Sequence, residues 1–174
     1  PGRHGRYITV GGGVVDLNAG QVRIDGLIDV SSVVLLKEWE RGAGAGGSIW
    51  ITCESFLLSG TGCLKARGMN GLNYSNKMSG SGGGGRIAVG IGLSPAAREE
   101  LRTTGATEHM TSTFSLVERY GSACVNAEAG TPVSGAGCGE PGTAVMYYGK
   151  ESGQRVVVTT AAPEASAAKL PTDV

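Results

Sequence analysis

The sequence predicts an all-β fold of short strands that stack in an array, and two observations support this prediction. Glycine runs lead twice into a short alternating strand, in GAGAGGSIWITC (42–53) and GSGGGGRIAVGI (80–91). A second pair of segments, RIDGLIDV (23–30) and GTGCLKAR (60–67), superposes at nearly the same offset. Short strands repeated every few tens of residues are typical of proteins whose units stack instead of folding back into a globule.

The repeat also predicts a register between neighbouring strands. If one unit of about 37 residues forms one coil, matched residues lie on adjacent parallel strands about 4.8 Å apart. The matched pairs are Ile28–Leu64, Val30–Ala66, Ile49–Ile87, Ile51–Val89 and the oppositely charged pair Asp29–Lys65. In the alternative, a coil takes only about 23 residues, Ile28 meets Ile51, and the pairing of Asp29 with Lys65 is lost.

Composition supports a folded, narrow interior. Glycine supplies 31 of 174 residues without a G-X-Y period, which excludes collagen. Hydrophobic residues make up 40% of the chain and alternate, which argues against disorder. Because the chain has only two phenylalanines and two tryptophans, we expect an aliphatic interior.

Charge and hydropathy remove several classes of function. The net charge is zero, so the clustered positive field that nucleic-acid binding requires is not expected. No apolar stretch approaches the roughly 20 residues of a membrane span, so no membrane insertion is expected. We predict one domain over 1–160, which looks like a fragment of a longer protein, and a linker or tail over 161–174.

One segment departs from the strand pattern. In SPAAREELRTT (94–104), Ser94 can cap a helix and Pro95 suits its first position, so a short helical insertion is predicted. The stretch 111–127 is expected to return to strand. The alternating runs GTAVMYY and RVVVTT are predicted to end the ordered part.

The four cysteines are Cys53, Cys63, Cys124 and Cys138. They form no Cys-x-x-Cys pair, so a zinc site is not expected, and three disulfide connectivities are possible. The glycine- and proline-rich loop over 130–142 favours a Cys124–Cys138 bridge. The alternative is four buried or idle thiols, since cysteine is common in protein interiors.

Three stretches together resemble a known class of segment. GGSIWIT, LSGTGCLKARG and GGRIAV are similar to the glycine-rich right-handed parallel β-helix segments of large secreted or cell-surface proteins. The resemblance covers roughly residues 20–150. It implies a right-handed parallel β-helix, or solenoid, with long glycine-rich loops, in an extracellular or cell-surface setting. It carries no catalytic residues to this chain.

Residues able to support catalysis are sparse. Asp25 and Asp29 share one strand face but lie about 13 Å apart by strand rise, too far for the carboxylate pair of a retaining glycosidase. A solvated strand face explains them more simply. No catalytic, metal-binding or cofactor-binding residue is predicted, and no cofactor is expected.

Two residues indicate contact with sugars. Asn73 begins the sequon Asn-Tyr-Ser in a predicted loop and is a possible glycosylation site. Trp50 faces outward by parity with its isoleucine neighbours and, together with Tyr74, Tyr147 and Tyr148, could offer a surface that stacks on a carbohydrate. For Trp50, structural cover of a loop is the competing interpretation.

The sequence therefore predicts a non-catalytic structural or adhesive segment of an extracellular or cell-surface protein. Its expected partners are neighbouring domains of the same protein or other copies of the chain, with surface glycans as a further candidate. One alternative is a carbohydrate-active β-helix that binds or cleaves polysaccharide, which would need two acidic side chains converging on one sugar bond. The other alternative is a subunit of an extracellular filament, joined through open strand edges.

Overall fold

A computed structural model describes residues 9–34, 43–74, 77–104 and 110–149. Within these ranges the chain forms twelve strands and two helices. The strands are β1 (Thr9–Val10), β2 (Val14–Ile24), β3 (Leu27–Asp29), β4 (Val33–Val34), β5 (Ser48–Leu58), β6 (Cys63–Lys65), β7 (Asn73–Tyr74), β8 (Lys77–Met78), β9 (Arg86–Ile91), β10 (Met110–Ser115), β11 (Val125–Asn126) and β12 (Thr143–Gly149). The helices are α1 (Pro95–Thr104) and α2 (Leu116–Tyr120).

Two parallel sheets form the body of the protein. The larger sheet has the order β10-β12-β9-β5-β2, in which only β10 runs antiparallel to its neighbour. The smaller sheet has the order β11-β6-β3 and is wholly parallel. Two short antiparallel pairs, β1–β4 and β7–β8, lie outside these sheets.

The main core contains apolar side chains from both parallel sheets. On the larger sheet, two ladders of inward residues run Val15–Ile49–Ile87–Ala144 and Leu17–Ile51–Val89–Met146. The smaller sheet contributes the fully buried Leu64 and Val125. Burying one such aliphatic side chain is worth about 1.5–3 kcal/mol, so these ladders supply much of the driving force for folding.

The predicted register is confirmed where strands pair. Ile28 lies opposite Leu64 and Asp29 opposite Lys65 on β3 and β6. On β5 and β9, Ile49 lies opposite Ile87, and Ile51 opposite Val89. The alternative pairing of Ile28 with Ile51 is therefore wrong, because these two residues belong to different sheets.

The predicted fold class, an all-β right-handed parallel β-helix, is wrong. The described residues form two separate parallel sheets of four and three parallel strands together with two helices, so the fold is mixed α and β with no closed solenoid. A closed coil requires every wall of strands to continue through every layer. After β9 the chain instead forms α1, β10 and α2 before it returns to the smaller sheet at β11. The segments that link the sheets around 43–47 and 79–85 contain no strand.

Glycines join the two parallel sheets at one corner. The amide of Gly47 donates to the carbonyl of Val30 at 2.9 Å, just after β3. Gly85 repeats this bond to Ala66 at 2.7 Å, and Gly142 to Ala127 at 2.9 Å. The backbone of the larger sheet thus bonds directly to the backbone of the smaller sheet in three successive layers.

The corner leaves no room for a side chain. A glycine stands directly before each parallel strand of the larger sheet: Gly13, Gly47, Gly85 and Gly142. A Cβ on any of the last three would lie closer than 3.0 Å to backbone atoms of the adjoining layer. A Cβ on Gly13, before the edge strand β2, would meet nothing within 4 Å.

The helical insertion is confirmed, and one helix was not predicted. Ser94 caps α1, because its hydroxyl oxygen accepts a hydrogen bond from the Ala97 amide at 3.2 Å, and the helix begins at Pro95. The stretch 111–127 contains strand at both ends but α2 between them. The run GTAVMYY forms most of β12, whereas RVVVTT and the predicted tail over 161–174 lie outside the described residues.

We expect Gly85→Ala to lower the free energy of unfolding by about 3 kcal/mol or more, because the new methyl group meets backbone that cannot move without breaking the corner. Gly13→Ala is the matched control, because Gly13 directly precedes β2 as Gly85 directly precedes β9. It should change stability by no more than about 0.5–1 kcal/mol. Urea denaturation of the three proteins measures both effects, and equal losses in the two variants would contradict the close-packed corner.

Candidate functional site

The outer face of the larger sheet carries the candidate site. On β5, Trp50 and Thr52 point away from the main core, opposite to the buried Ile49 and Ile51. Helix α1 covers part of this face, and a second small core of Leu93, Ala97 and Leu101 packs against Trp50. The prediction that Trp50 faces outward is thus correct, although α1 covers part of its side chain.

An open cleft of about 240 Å³ lies between α1 and the edge strand β2. Its walls are Asp16, Asn18, Trp50, Thr52, Arg98, Leu101 and Arg102. The sheet register builds one wall, since Asp16 is the cross-strand partner of Trp50, and Asn18 that of Thr52. The cleft therefore presents an aromatic side chain with hydrogen-bonding groups on both sides.

Arg98 fixes α1 on the sheet. Its side chain is about nine-tenths buried, donating from Nε to Asn18 Oδ1 at 2.9 Å and from an Nη to the Leu93 carbonyl at 2.9 Å. The Glu54 carboxylate lies 3.6 Å from the guanidinium. A buried guanidinium is costly unless it is paired and bonded, and here the three contacts meet that requirement.

The charges around the cleft largely neutralise one another. Arg102 bonds Glu99 at 2.7 Å, and this pair lowers the pKa of the Glu99 carboxyl. The same hydrogen bond raises the pKa of Arg102, with a smaller contribution from the charge of Asp16. Because each arginine faces a carboxylate, the cleft suits a neutral polar ligand better than an anion.

Size and chemistry define what the cleft can hold. Its volume lies below the roughly 300–1,000 Å³ of sites for drug-sized ligands, so a single small ring fits. Asp16 is the sole carboxylate among the residues lining the cleft. Acid–base cleavage of a glycosidic bond uses two carboxylates, and the lining of this cleft supplies one.

Sequence reasoning found Trp50 but missed the residues around it. A signal was present in VVDLN (14–18), where Asp16 and Asn18 fall at the outward parity of an otherwise apolar strand. The position of Arg98 could not be inferred, because it depends on where α1 docks. Tyr147 lies on β12, two strands away from the cleft strand β5, and is not part of the lining.

The two aspartates weighed as a catalytic pair have local structural roles. Asp25 accepts hydrogen bonds from Ser59 and Arg23, and these bonds lower the pKa of its carboxyl. Asp29 accepts from the amide of Ser31 at 2.8 Å. Each of the two carboxylates is therefore held by its own local hydrogen bonds.

The cysteines are free thiols in four different settings. Cys53 is fully buried beside the Gly90 carbonyl, and burial raises its pKa to about 12. Cys138 is exposed in the 130–142 loop, whose backbone bonds to Ser81. Cys124 instead lies next to Cys63, since the residues that follow them, Val125 and Leu64, are cross-strand partners, so the predicted Cys124–Cys138 pair is not the one that the structure brings together.

Other expectations concern modification, membranes and metals. Asn73 lies in β7, but its side chain and Ser75 of its sequon fall outside what the structure describes. Among the described residues, no helix has the length and apolar character of a membrane span. The same residues contain no group of three or more His, Cys, Asp or Glu arranged to hold a metal ion.

Comparison of the chain with protein-family models, curated proteins and solved structures finds no match. The functional argument therefore depends on the geometry described above.

We expect Arg98→Met to lower the free energy of unfolding by about 2–4 kcal/mol, because Asn18 and the Leu93 carbonyl lose their buried donor. The matched control is Arg102→Met on the exposed face of α1, which should cost less than about 0.5 kcal/mol. Urea denaturation measures stability, and hydrogen exchange of the α1 amides shows whether the helix detaches. Similar small losses in both variants would show that Arg98 does not anchor the helix.

Proposed function

We propose that this chain is a non-catalytic structural segment of an extracellular or cell-surface protein, and that its β2 edge pairs with a parallel strand from another polypeptide segment. The observation that supports this proposal is Gly13. Its equivalents Gly47, Gly85 and Gly142 must be glycine because another layer lies against them. Gly13 meets no such layer within the described residues. A strand added beside β2 would lie against Gly13 and leave no room for a side chain there.

Exposed apolar side chains near the β2 edge also favour a partner strand at this end of the protein. Six large hydrophobic residues are exposed in the described chain, and four of them belong to the end built by β1 to β4. Val14 is 77% exposed at the start of β2, Leu27 57% at the start of β3, and Val33 51% in β4. β2 is also eleven residues long, which is long for an edge strand that pairs on one side only within the described residues.

The partner's chemistry follows from the pattern of the existing layers. It is a strand preceded by glycine and running parallel to β2, with alternate aliphatic residues that continue the Val15 and Leu17 ladders. Main-chain hydrogen bonds would supply affinity and the alternate side chains specificity, as in other cases of strand addition. A second copy of the chain stacked head to tail does not provide such a parallel strand, because the far edge of the larger sheet is the antiparallel strand β10.

The experiment places a suitable strand next to the open edge. In a tandem chain, residues 9–42 are repeated ahead of Thr9, and we expect amides of the original β2 to become protected from hydrogen exchange and the unfolding midpoint to rise. Gly13→Val in the original copy should remove both gains while leaving the single chain folded, because a side chain there meets nothing. A tandem chain with the added residues shuffled is the control for length. Unchanged β2 exchange in the tandem chain would contradict the proposal.

A second candidate function, adhesion through a sugar, is favoured by the Trp50 cleft. A sugar ring has an apolar C–H face that can lie on the indole and hydroxyls that can bond the Asp16 and Asn18 side chains. The balanced charges favour a neutral sugar. This function requires no catalysis and is compatible with a structural segment.

Tryptophan fluorescence tests this second candidate, since the chain has two tryptophans and Trp39→Phe leaves Trp50 as the single reporter. Titration with neutral hexoses and their oligosaccharides should shift the emission. Asp16→Asn should weaken binding at least tenfold, about 1.4 kcal/mol, while the exposed control Asp29→Asn should not. The absence of any shift with all of these sugars would remove the cleft as a sugar site.

A further inference from the structure

Cys63 and Cys124 stand side by side on adjacent strands. The residues that follow them, Leu64 and Val125, are cross-strand partners in the parallel pair β6–β11. The amide of Leu64 donates to the carbonyl of Cys124 at 2.8 Å, which fixes the two backbones at that level. Leu64 and Val125 are fully buried, whereas Cys63 and Cys124 are each partly exposed, and Cys124 also packs against the main core.

The two thiols are neighbours and accessible. Both side chains are partly exposed, and burial, with a smaller contribution from the Cys63 thiol, raises the pKa of Cys124. Neighbouring parallel strands lie about 4.8 Å apart, inside the Cα separation of about 4.4–6.8 Å that a disulfide spans.

We propose that Cys63 and Cys124 form an intramolecular disulfide when the protein meets a disulfide oxidant, and that this bond locks the insertion carrying α1, β10 and α2 to the body of the fold. The bond would join two layers that are close in space but 61 positions apart in sequence. The inference does not depend on the strand-pairing or sugar-binding functions.

The chemistry is ordinary thiol–disulfide exchange with an oxidant such as oxidised glutathione. One cysteine thiolate attacks a glutathione sulfur, a protein–glutathione mixed disulfide forms, and one glutathione thiolate leaves. The second cysteine thiolate then attacks the protein sulfur of that mixed disulfide and releases the second glutathione. The protein loses two protons and two electrons, and one oxidised glutathione becomes two reduced ones.

The other two cysteines are placed differently and serve as controls. The Cys53 thiol is buried and its pKa is about 12, so it should stay unreactive in the folded protein. Cys138 is exposed on a loop that bonds to the 80–84 segment. It should react with glutathione singly and remain reducible.

The experiment equilibrates the full chain in a glutathione redox buffer, blocks free thiols, and identifies cross-linked peptides by mass spectrometry. We expect one linked peptide pair containing Cys63 and Cys124, present in Cys138→Ser and absent in Cys63→Ser and Cys124→Ser. The oxidised protein should unfold at least about 5 °C above the reduced protein, because the bond closes a long loop. A Cys124–Cys138 pair, a bond to Cys53, or no cross-link in the folded wild-type chain would each overturn the proposal.

Discussion

Three backbone hydrogen bonds, from Gly47, Gly85 and Gly142, join the two parallel sheets at a corner where no side chain fits. In most proteins two layers meet through interlocking side chains. Here the main chains of successive layers are in direct contact, and only glycine permits that approach. The high glycine content is therefore a requirement of packing, and it explains how a chain with few aromatic residues encloses a narrow aliphatic core.

The corner also determines what the remaining surfaces can do. It holds the larger sheet with one face on the core and leaves the other face free for α1, which is anchored by the buried Arg98. The same geometry makes the two ends of the stack unequal. One edge of the larger sheet is the antiparallel strand β10. At the other edge, within the part of the chain that the structure describes, no strand pairs with the outer side of β2, although Gly13 precedes it as a glycine precedes each inner parallel strand.

Local patterns predicted the elements and their register better than they predicted the fold. The matched glycine runs placed Ile49 opposite Ile87 correctly, because parallel strands with one buried face allow few registers. The cap at Ser94 similarly located α1. A closed coil did not follow from the same repeats, because the chain leaves the pattern after β9 and no periodic signal marks where it returns. The cleft depends on where α1 docks, and the adjacency of Cys63 and Cys124 depends on where the chain returns at β11, so spacing alone could not identify either.

Native-state hydrogen exchange of the corner amides tests the central claim most directly. If the three bonds hold the sheets together, the amides of Gly47, Gly85 and Gly142 should exchange only through global unfolding, with the same free energy that urea denaturation gives for the whole chain. Glycine amides in surface loops normally exchange by local opening at far lower cost. Exchange of the Gly85 amide at such a low free energy, while Ile51 and Val89 remain protected, would contradict the account.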